Sequence, residues 1–269
     1  ERVLDVSPMM ASRVRVLGSG KSQKNDPNDA RSVAIAALRH PGLRVVVGDD
    51  HTRVLGLLAK RHRDVARLKN KAACRLHALL MELKPGGLGS EMTVSKANSL
   101  LESVRARDEV TRQRIVIATE LVDDIARFET QMRASKKRIR TAVAASGTSL
   151  CDIRGIGPIG AAIILSSVGD ISRFPTAGHF ASYNATAPID ASSGNKKRHR
   201  LNPRGNRKLN HVLHIAAVGQ LRYPSKGRDY YDKKLAEGKT SKEALRALKR
   251  RISDVVYRRL QADTHHRIT

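Results

Sequence analysis

"TRVLGLLAKRHRDVARLKNKAACRLHALLMELKPGG", residues 52–87, decides the fold class of this chain. Its apolar residues recur every three or four positions, which is the period of a helix with one packed face. This stripe consists of Val54, Leu58, Val65, Leu68, Ala72, Leu76, Leu79 and Leu83. The other face carries Lys60, Arg61, Arg63, Arg67, Lys69 and Lys71. The stretch therefore predicts one long amphipathic helix that ends at the Pro-Gly-Gly turn.

A second long helical region follows the turn, from about residue 95 to residue 143. Its apolar stripe includes Leu121, Ile125, Phe128 and Met132. Two long helices around one tight turn predict an antiparallel coiled-coil hairpin, which we assign to residues 51–145. Such a hairpin usually serves as a packing arm or a dimer stalk. Its basic face could also lie along a nucleic-acid duplex.

The region before the hairpin, residues 1–50, has a different pattern. "RVLDVSP" reads as a short strand, and "LRVVVGDD" at 43–50 as a second, buried strand. Between them, residues 9–24 are weakly helical or irregular and end in a loop, and a helix is predicted from about Pro27 to Arg39. Strand, loop, helix and strand together are typical of part of an α/β layer. The predicted fold class is thus mainly α, with a partial α/β piece at the N-terminus.

The third region, residues 146–262, is predicted to be a helical domain. "CDIRGIGPIGAAIIL" at 151–165 has the form of a helix-hairpin-helix, in which Gly155 and Gly157 permit a tight turn. Amides at the start of the following helix can then face a phosphate of DNA. A glycine-rich helix start used only for packing is the alternative. A capping box of Thr240 and Glu243 begins the last helix, and residues 263–269 read as a frayed tail.

The charge balance points to a polyanionic partner. Among 269 residues, 51 Lys and Arg face 25 Asp and Glu, a formal net charge of +26. Nucleic acid or an anionic membrane can neutralise such a surface, but no apolar stretch approaches the length of a membrane span. Aromatic residues make up 3% and Trp is absent, which favours contacts to phosphates over base stacking. Cys74 and Cys151 lie far apart without metal-ligand spacing, so we expect a reducing, cytoplasmic setting.

Positive charge is concentrated after residue 190. No acidic residue lies between Asp190 and Asp229, while ten Lys and Arg occur there. A merely solvated face normally mixes both signs, so this run predicts nucleic-acid contacts. The predicted contact residues are Lys196, Lys197, Arg198, Arg200, Arg204, Arg207 and Lys208. Within the run, Ser192 and Ser193 stand beside Gly194 and these bases, which suggests a nucleophile only weakly, because Ser-Gly is common in loops.

"KNDPNDARSVAIAAL", residues 24–38, carries two aspartates three positions apart. Asp26 as N-cap, Pro27 in the first turn and Asp29 at the positive end of the helix dipole would make a good helix start. The same spacing places both carboxylates on one face, where they could hold divalent metal ions. From the residues alone, both interpretations stand.

These motifs occur in an order that resembles the DEDD-type insertion-sequence transposases of the IS one-ten family, which are related to Piv-type DNA invertases. The acid pair, the helical hairpin, "IRGIGPIGAAIIL" and "SSGNKKRHRLNPRGNRKL" carry the resemblance over nearly the whole chain. It implies a RuvC-like, RNase H-like N-terminal domain, a coiled coil and a serine-bearing transposase domain. It further implies a homo-oligomer, a dimer or tetramer, that acts on DNA and uses a structured bridge RNA as guide.

The resemblance also implies roles for individual residues. Asp26 and Asp29 match the last two acids of an Asp-Glu-Asp-Asp set that binds Mg²⁺, and Ser193 matches the nucleophile, with Ser192 as the neighbouring alternative. The family's first Asp and its Glu have no counterpart, because Glu1 and Asp5 follow the place where the Glu belongs. We therefore expect a sequence truncated at its N-terminus or a decayed copy. The alternatives are a remnant that only binds DNA or RNA and, less in keeping with these motifs, a basic RNA-associated protein.

Overall fold

The computed structural model describes residues 3–19, 25–40, 42–45, 50–88, 92–190, 199–200, 202 and 205–268. These residues form two compact units, one of residues 1–50 and one of residues 51–269. The described chain is mainly helical, which confirms the mainly α part of the predicted class. The division of the second unit at residues 145 and 262 stays a prediction.

The first unit is a pair of helices with one short strand ladder. Strand β1, Leu4–Asp5, pairs antiparallel with strand β2, Arg44–Val45, in the register Leu4 with Val45. Helices α1, Pro8–Ser19, and α2, Asp26–Arg39, lie between them in sequence and pack against each other. The expected strand, helix and strand are present in that order, and the stretch expected to be weakly helical or irregular contains most of helix α1. The second strand was predicted to be buried, but Val45 is exposed, and residues 46–49 of that stretch lie outside the described part of the chain. The RuvC-like assignment stays a prediction.

Helix α2 begins at Asp26, so Asp26 lies inside the helix and is not its N-cap. Asn25 is the N-cap, and its Oδ1 accepts the Asn28 amide at 2.9 Å. Asp26 and Pro27 therefore occupy the first helical turn. The prediction of Asp26 as N-cap was wrong because Asn25 caps equally well, and Pro at the second helical position is also tolerated.

The second unit begins with a long helical hairpin. Helix α3, His51–Leu83, is followed by α4, Val94–Ser103, and α5, Glu109–Ala145. The second arm was predicted as one helix, but it breaks at residues 104–108, where Asp108 caps α5 by accepting the Thr111 amide at 2.7 Å. Lys69 pairs with Glu129 at 2.7 Å and Glu82 with Arg114 at 2.8 Å, so α3 and α5 run antiparallel. A coiled-coil supercoil stays a prediction.

The packed face of α3 is shifted from the predicted stripe. The buried apolar residues are Leu55, Ala59, Val65, Ala72, Leu76 and Leu80. Val54 and Leu68, which were predicted to be buried, are exposed. The helix offers apolar residues at adjacent positions, such as Val54 beside Leu55, so periodicity alone leaves the rotation of the helix about its axis open.

The rest of the second unit surrounds one hydrophobic core. Its helices are α6, Pro158–Val168; α7, Ala177–Tyr183; α8, Arg207–Leu221; α9, Lys226–Ala236; and α10, Ser241–Ile268. Short 3-10 turns occupy Leu150–Asp152 and Ile171–Arg173. Helix α6 lies in the centre, where Ala161, Ala162 and Ile164 are fully buried and the helix packs against α3, α5 and α8. The base of the hairpin therefore shares its core with this C-terminal helical region.

The last helix is tied in at both ends. The predicted capping box is confirmed, because the Glu243 carboxylate accepts the Thr240 amide at 3.0 Å. Near the other end, Asp263 accepts hydrogen bonds from the hydroxyls of Thr148 and Ser149 at 2.8 and 2.6 Å. The helix continues through residue 268, within the segment that the sequence suggested was frayed.

A two-stranded ladder interrupts the helices. Strand β3, Ile189–Asp190, pairs antiparallel with β4, His199–Arg200, so that Asp190 lies opposite His199. The connection between them is residues 191–198, which contain Ser192, Ser193 and the bases Lys196, Lys197 and Arg198. These residues and Arg204 lie outside the described part of the chain.

Candidate nucleic-acid interface

The two glycines of "RGIGPIG" have different surroundings. Gly155 has φ +91°, and a Cβ there would lie 2.6 Å from the carbonyl oxygen of Ala216 in α8. Gly157 is the N-cap of α6 with extended backbone at φ −90°, and no atom lies within 4 Å of the position its Cβ would take. Gly155 is thus required for helix packing, whereas Gly157 leaves the start of α6 open.

The turn that contains Gly155 is held against the connection between α8 and α9. Gln220 donates to the carbonyl oxygen of Arg154 at 2.7 Å, and Arg154 donates to the carbonyl oxygen of Pro224 at 3.2 Å. Gly227 lies so close to Gln220 that any side chain there would displace it. These contacts fix the turn before α6, although a helix-hairpin-helix as such, and phosphate contact by Gly155 and Gly157, stay predictions.

Asparagine side chains frame the ladder β3–β4. Asn184 is fully buried and donates from Nδ2 to Ser253 Oγ in α10 at 2.7 Å. Its Oδ1 accepts the hydroxyl of Thr186 at 2.7 Å. Asn210, in the first turn of α8, donates to the carbonyl oxygens of Asn184 and Ala185 at 2.9 and 3.2 Å. The chain that enters the ladder is therefore fixed to α8 and α10.

The chain that leaves the ladder is fixed to the same place. Asn206, the N-cap of α8, donates from its amide nitrogen to the carbonyl oxygen of Tyr183 at 2.7 Å and from Nδ2 to the Tyr183 hydroxyl at 3.0 Å. A Cβ on Gly205 would lie 2.5 Å from the Cβ of Ala185. The chain on both sides of the ladder is thus anchored by three residues, Asn184, Asn206 and Asn210, which we call the asparagine base.

The basic residues at the start of α8 are exposed. Arg207 and Lys208 both face solvent in the first turn, and Arg200 lies in β4. Burial lowers the pKa of His214 below its usual value, with further lowering from the charges of Lys249 and His211. The structure thus gathers basic residues of α8 and α10 beside the asparagine base.

Sequence reasoning missed Asn184, Asn210 and Lys249. Lys249 is 8% exposed and donates to Asn210 Oδ1 at 2.8 Å. It lies in α10 four residues after Leu245 and seven before Val256, on the packed stripe of that helix. A lysine at a core position was the available signal. No local pattern pointed to the asparagines.

The two aspartates of α2 differ in environment. Asp26 is exposed, whereas Asp29 is partly buried and forms an ion pair with Arg15 of α1. Mg²⁺ is commonly held by one or two carboxylates together with phosphate oxygens of the substrate, so the two side chains suit it in kind. Among the described residues, no group of three or more His, Cys, Asp and Glu is arranged to hold a metal ion.

None of the described helices is both long and apolar enough to cross a membrane.

Residues 147–232 match the family described as "Transposase IS116/IS110/IS902 family". This range contains the turn of Gly155, the ladder β3–β4, and helix α8. The matched residues therefore include the candidate interface except for the part that α10 contributes.

The curated relatives include proteins of bacterial insertion elements. The 43.6 kDa protein of insertion element IS110 from Streptomyces coelicolor is 30% identical over 235 residues, which is 84% of this chain and 56% of that protein. The 44.8 kDa protein of IS116 from Streptomyces clavuligerus is 31% identical over 151 residues, 54% of this chain and 38% of that protein. A probable family 20 transposase from Pseudomonas aeruginosa is 25% identical over 183 residues.

By these similarities, the class of protein that this chain resembles is the insertion-element proteins. Together with the match at residues 147–232, they support the IS110/IS116 family of transposases, the family that the motifs resemble. The chain spans about half the length of the first two curated relatives, 56% and 38%.

Proposed function

We propose that this chain acts in a DNA transposase or site-specific recombinase of the IS110/IS116 family. Similarity to an insertion-element protein over 84% of the chain carries the proposal. The structure supports it through the asparagine base, which anchors the chain on both sides of the ladder around the segment that contains Ser193. A nucleophile must be presented in one defined geometry, and anchored chain on both sides of the segment favours this.

In the proposed reaction, the Ser193 hydroxyl attacks a DNA phosphodiester. A serine–phosphate bond forms, the bond to one deoxyribose oxygen breaks, the serine proton is lost, and the released oxygen takes up a proton. Attack of a free hydroxyl of a second strand on the serine–phosphate bond then joins the strands and restores the serine. Nearby Lys and Arg stabilise charge that develops on the phosphate oxygens.

Asp26 and Asp29 are proposed to hold Mg²⁺ together with carboxylates that are not among the motifs of this sequence. Bound there, the metal would activate an attacking oxygen and stabilise a leaving one. Arg15 balances the charge of Asp29 in the structure, so it would have to release that carboxylate. The relation to Piv-type invertases and the homo-oligomer belong to the same proposal.

A bridge RNA is the proposed source of sequence specificity. Aromatic side chains that could stack on bases are scarce, at 3% of the chain. Base pairing with a guide can select the DNA while the protein holds backbone and shape. The alternative is a module that binds DNA or RNA without cleaving it, and the ion pair of Asp29 with Arg15 favours this alternative.

A covalent-adduct assay separates the two. The chain, with any sequence that precedes it in its reading frame, is incubated with labelled element-end DNA, guide RNA and Mg²⁺, then denatured. Wild type and Ser192→Ala are expected to carry labelled DNA, and Ser193→Ala is expected to carry none. An adduct that survives Ser193→Ala but not Ser192→Ala moves the nucleophile by one residue. Binding without any adduct supports the non-cleaving module.

A further inference from the structure

Helices α8 and α10 share a basic face. Lys249 Nζ donates to Asn210 Oδ1 at 2.8 Å, so the two helices meet there. Residues three and four apart lie on one face of a helix. Helix α8 therefore contributes Arg207, Asn210, His211 and His214 to this face. Helix α10 contributes Arg246 and Lys249.

Lys249 is an unusual member of this face, because its side chain is almost completely buried, at 8% exposure. Its ammonium has three N–H donors, and among the described residues the hydrogen bonds give it one acceptor, the neutral Asn210 Oδ1. A buried ammonium is costly to keep charged unless an anion compensates it.

Carboxylates of α8 and α10 do not fill this role. Residues 191–228, which include α8 and the chain that connects β3 to it, contain neither Asp nor Glu. The acids of α10 are engaged elsewhere: Glu243 with Thr240, Asp254 with Arg250, and Asp263 with Thr148 and Ser149. The positive charge of the face is thus left without a described counter-charge.

The two arginines of the face, Arg207 and Arg246, add to its uncompensated positive charge. Burial lowers the pKa of Lys249 from its usual value, and the charges of Arg207 and Arg246 lower it further. Both arginines are exposed, one at the start of α8 and one in α10. An anion can therefore reach the face from solvent, and its charge would offset the mutual repulsion of all three cations.

We propose that Arg207, Arg246 and Lys249 form a subsite for one phosphodiester group of DNA. The inference rests on the proposed function and adds two residues of α10, Arg246 and Lys249, to the nucleic-acid contacts. Asn210, which accepts from Lys249, also holds the carbonyl oxygens of Asn184 and Ala185. A phosphate bound here would lie beside the base that carries the Ser193 segment, where it can set the position of a DNA strand.

The test is the salt dependence of DNA binding by the 269-residue chain. Each phosphate contact contributes about 0.9 to the slope of log K against log salt. If Arg207 and Arg246 hold one phosphate, the double variant Arg207→Gln/Arg246→Gln should lower the slope by about 0.9 and affinity by roughly tenfold or more. The charge-matched control Lys239→Gln/Arg258→Gln changes exposed residues, and Arg258 lies on the opposite side of α10 from Lys249.

The outcomes are distinct. An unchanged slope in a variant of a wild type that does bind DNA overturns the subsite and leaves the proposed function intact. A fall of about 1.8 means two separate phosphates and also overturns it. A wild type without affinity for DNA contradicts the proposed function itself. The assignment to DNA is overturned if the double variant loses affinity for RNA but not for DNA. It is also overturned if inorganic phosphate and duplex DNA stabilise the folded wild-type chain equally.

Discussion

Replacing Gly155 by Ala tests the packing of the turn against α8. The left-handed backbone at φ +91° is strained for Ala by about 1 to 3 kcal/mol. The new Cβ would also lie 2.6 Å from the oxygen and 2.8 Å from the Cα of Ala216, so α8 must shift, at about 1 to 3 kcal/mol. Together these effects predict a loss of about 4 kcal/mol in the free energy of unfolding.

Urea denaturation followed by circular dichroism measures this change. With a slope of about 2 kcal/mol/M, the midpoint should fall by about 2 M. Gly157→Ser is the matched control two residues away. The site is open and extended, and serine can cap α6, so this variant should be unchanged or stabilised by about 0.5 kcal/mol. A Gly155→Ala variant within about 0.5 kcal/mol of wild type would refute the contact with α8.

Three further predictions follow from the described contacts. Lys249→Met should raise the pKa of His214, because it removes a positive charge that lowers that pKa, and an NMR titration of the ring measures it; an unchanged pKa would place the two side chains too far apart. Asn210→Ala should reduce the free energy of unfolding by about 2 to 4 kcal/mol in urea titrations, because the carbonyls of Asn184 and Ala185 and the ammonium of Lys249 each lose a partner. A change below about 1 kcal/mol would contradict the anchoring role of Asn210. Asn25→Ala should weaken α2 by about 1 kcal/mol in amide hydrogen exchange, whereas Asp26→Asn should not, because the cap is Asn25.

Periodicity predicted the long helices well, and the reason is physical. A stripe such as that of α3 extends over many turns, so no short-range alternative competes with it. Periodicity did not predict how α3 is rotated about its own axis, since Leu55 is buried and Val54 is exposed. It also missed the break before α5, although Asp108 followed by Thr111 is a recognisable helix start.

The candidate interface could be predicted only in part. The run of bases after Asp190 was evident from composition, because acids are absent over so long a stretch. The ladder β3–β4 has two residues in each strand, too few for an alternating pattern. The hydrogen bond between Asn184 and Ser253 joins residues 69 positions apart, and a single sequence carries no local trace of such a contact.

The middle of the α3–α5 hairpin differs from its two ends. One hydrophobic cluster at its base includes Leu55 and Ile139, and a separate one towards its tip includes Leu76 and Val122. Between them, Ser135 Oγ is buried without a hydrogen-bond partner among the described residues.

Because α4 also packs into the tip cluster, the tip has a core of its own, separate from the core at the base. The unbroken helices α3 and α5 join the two cores, so the hairpin is held together at two places along its length.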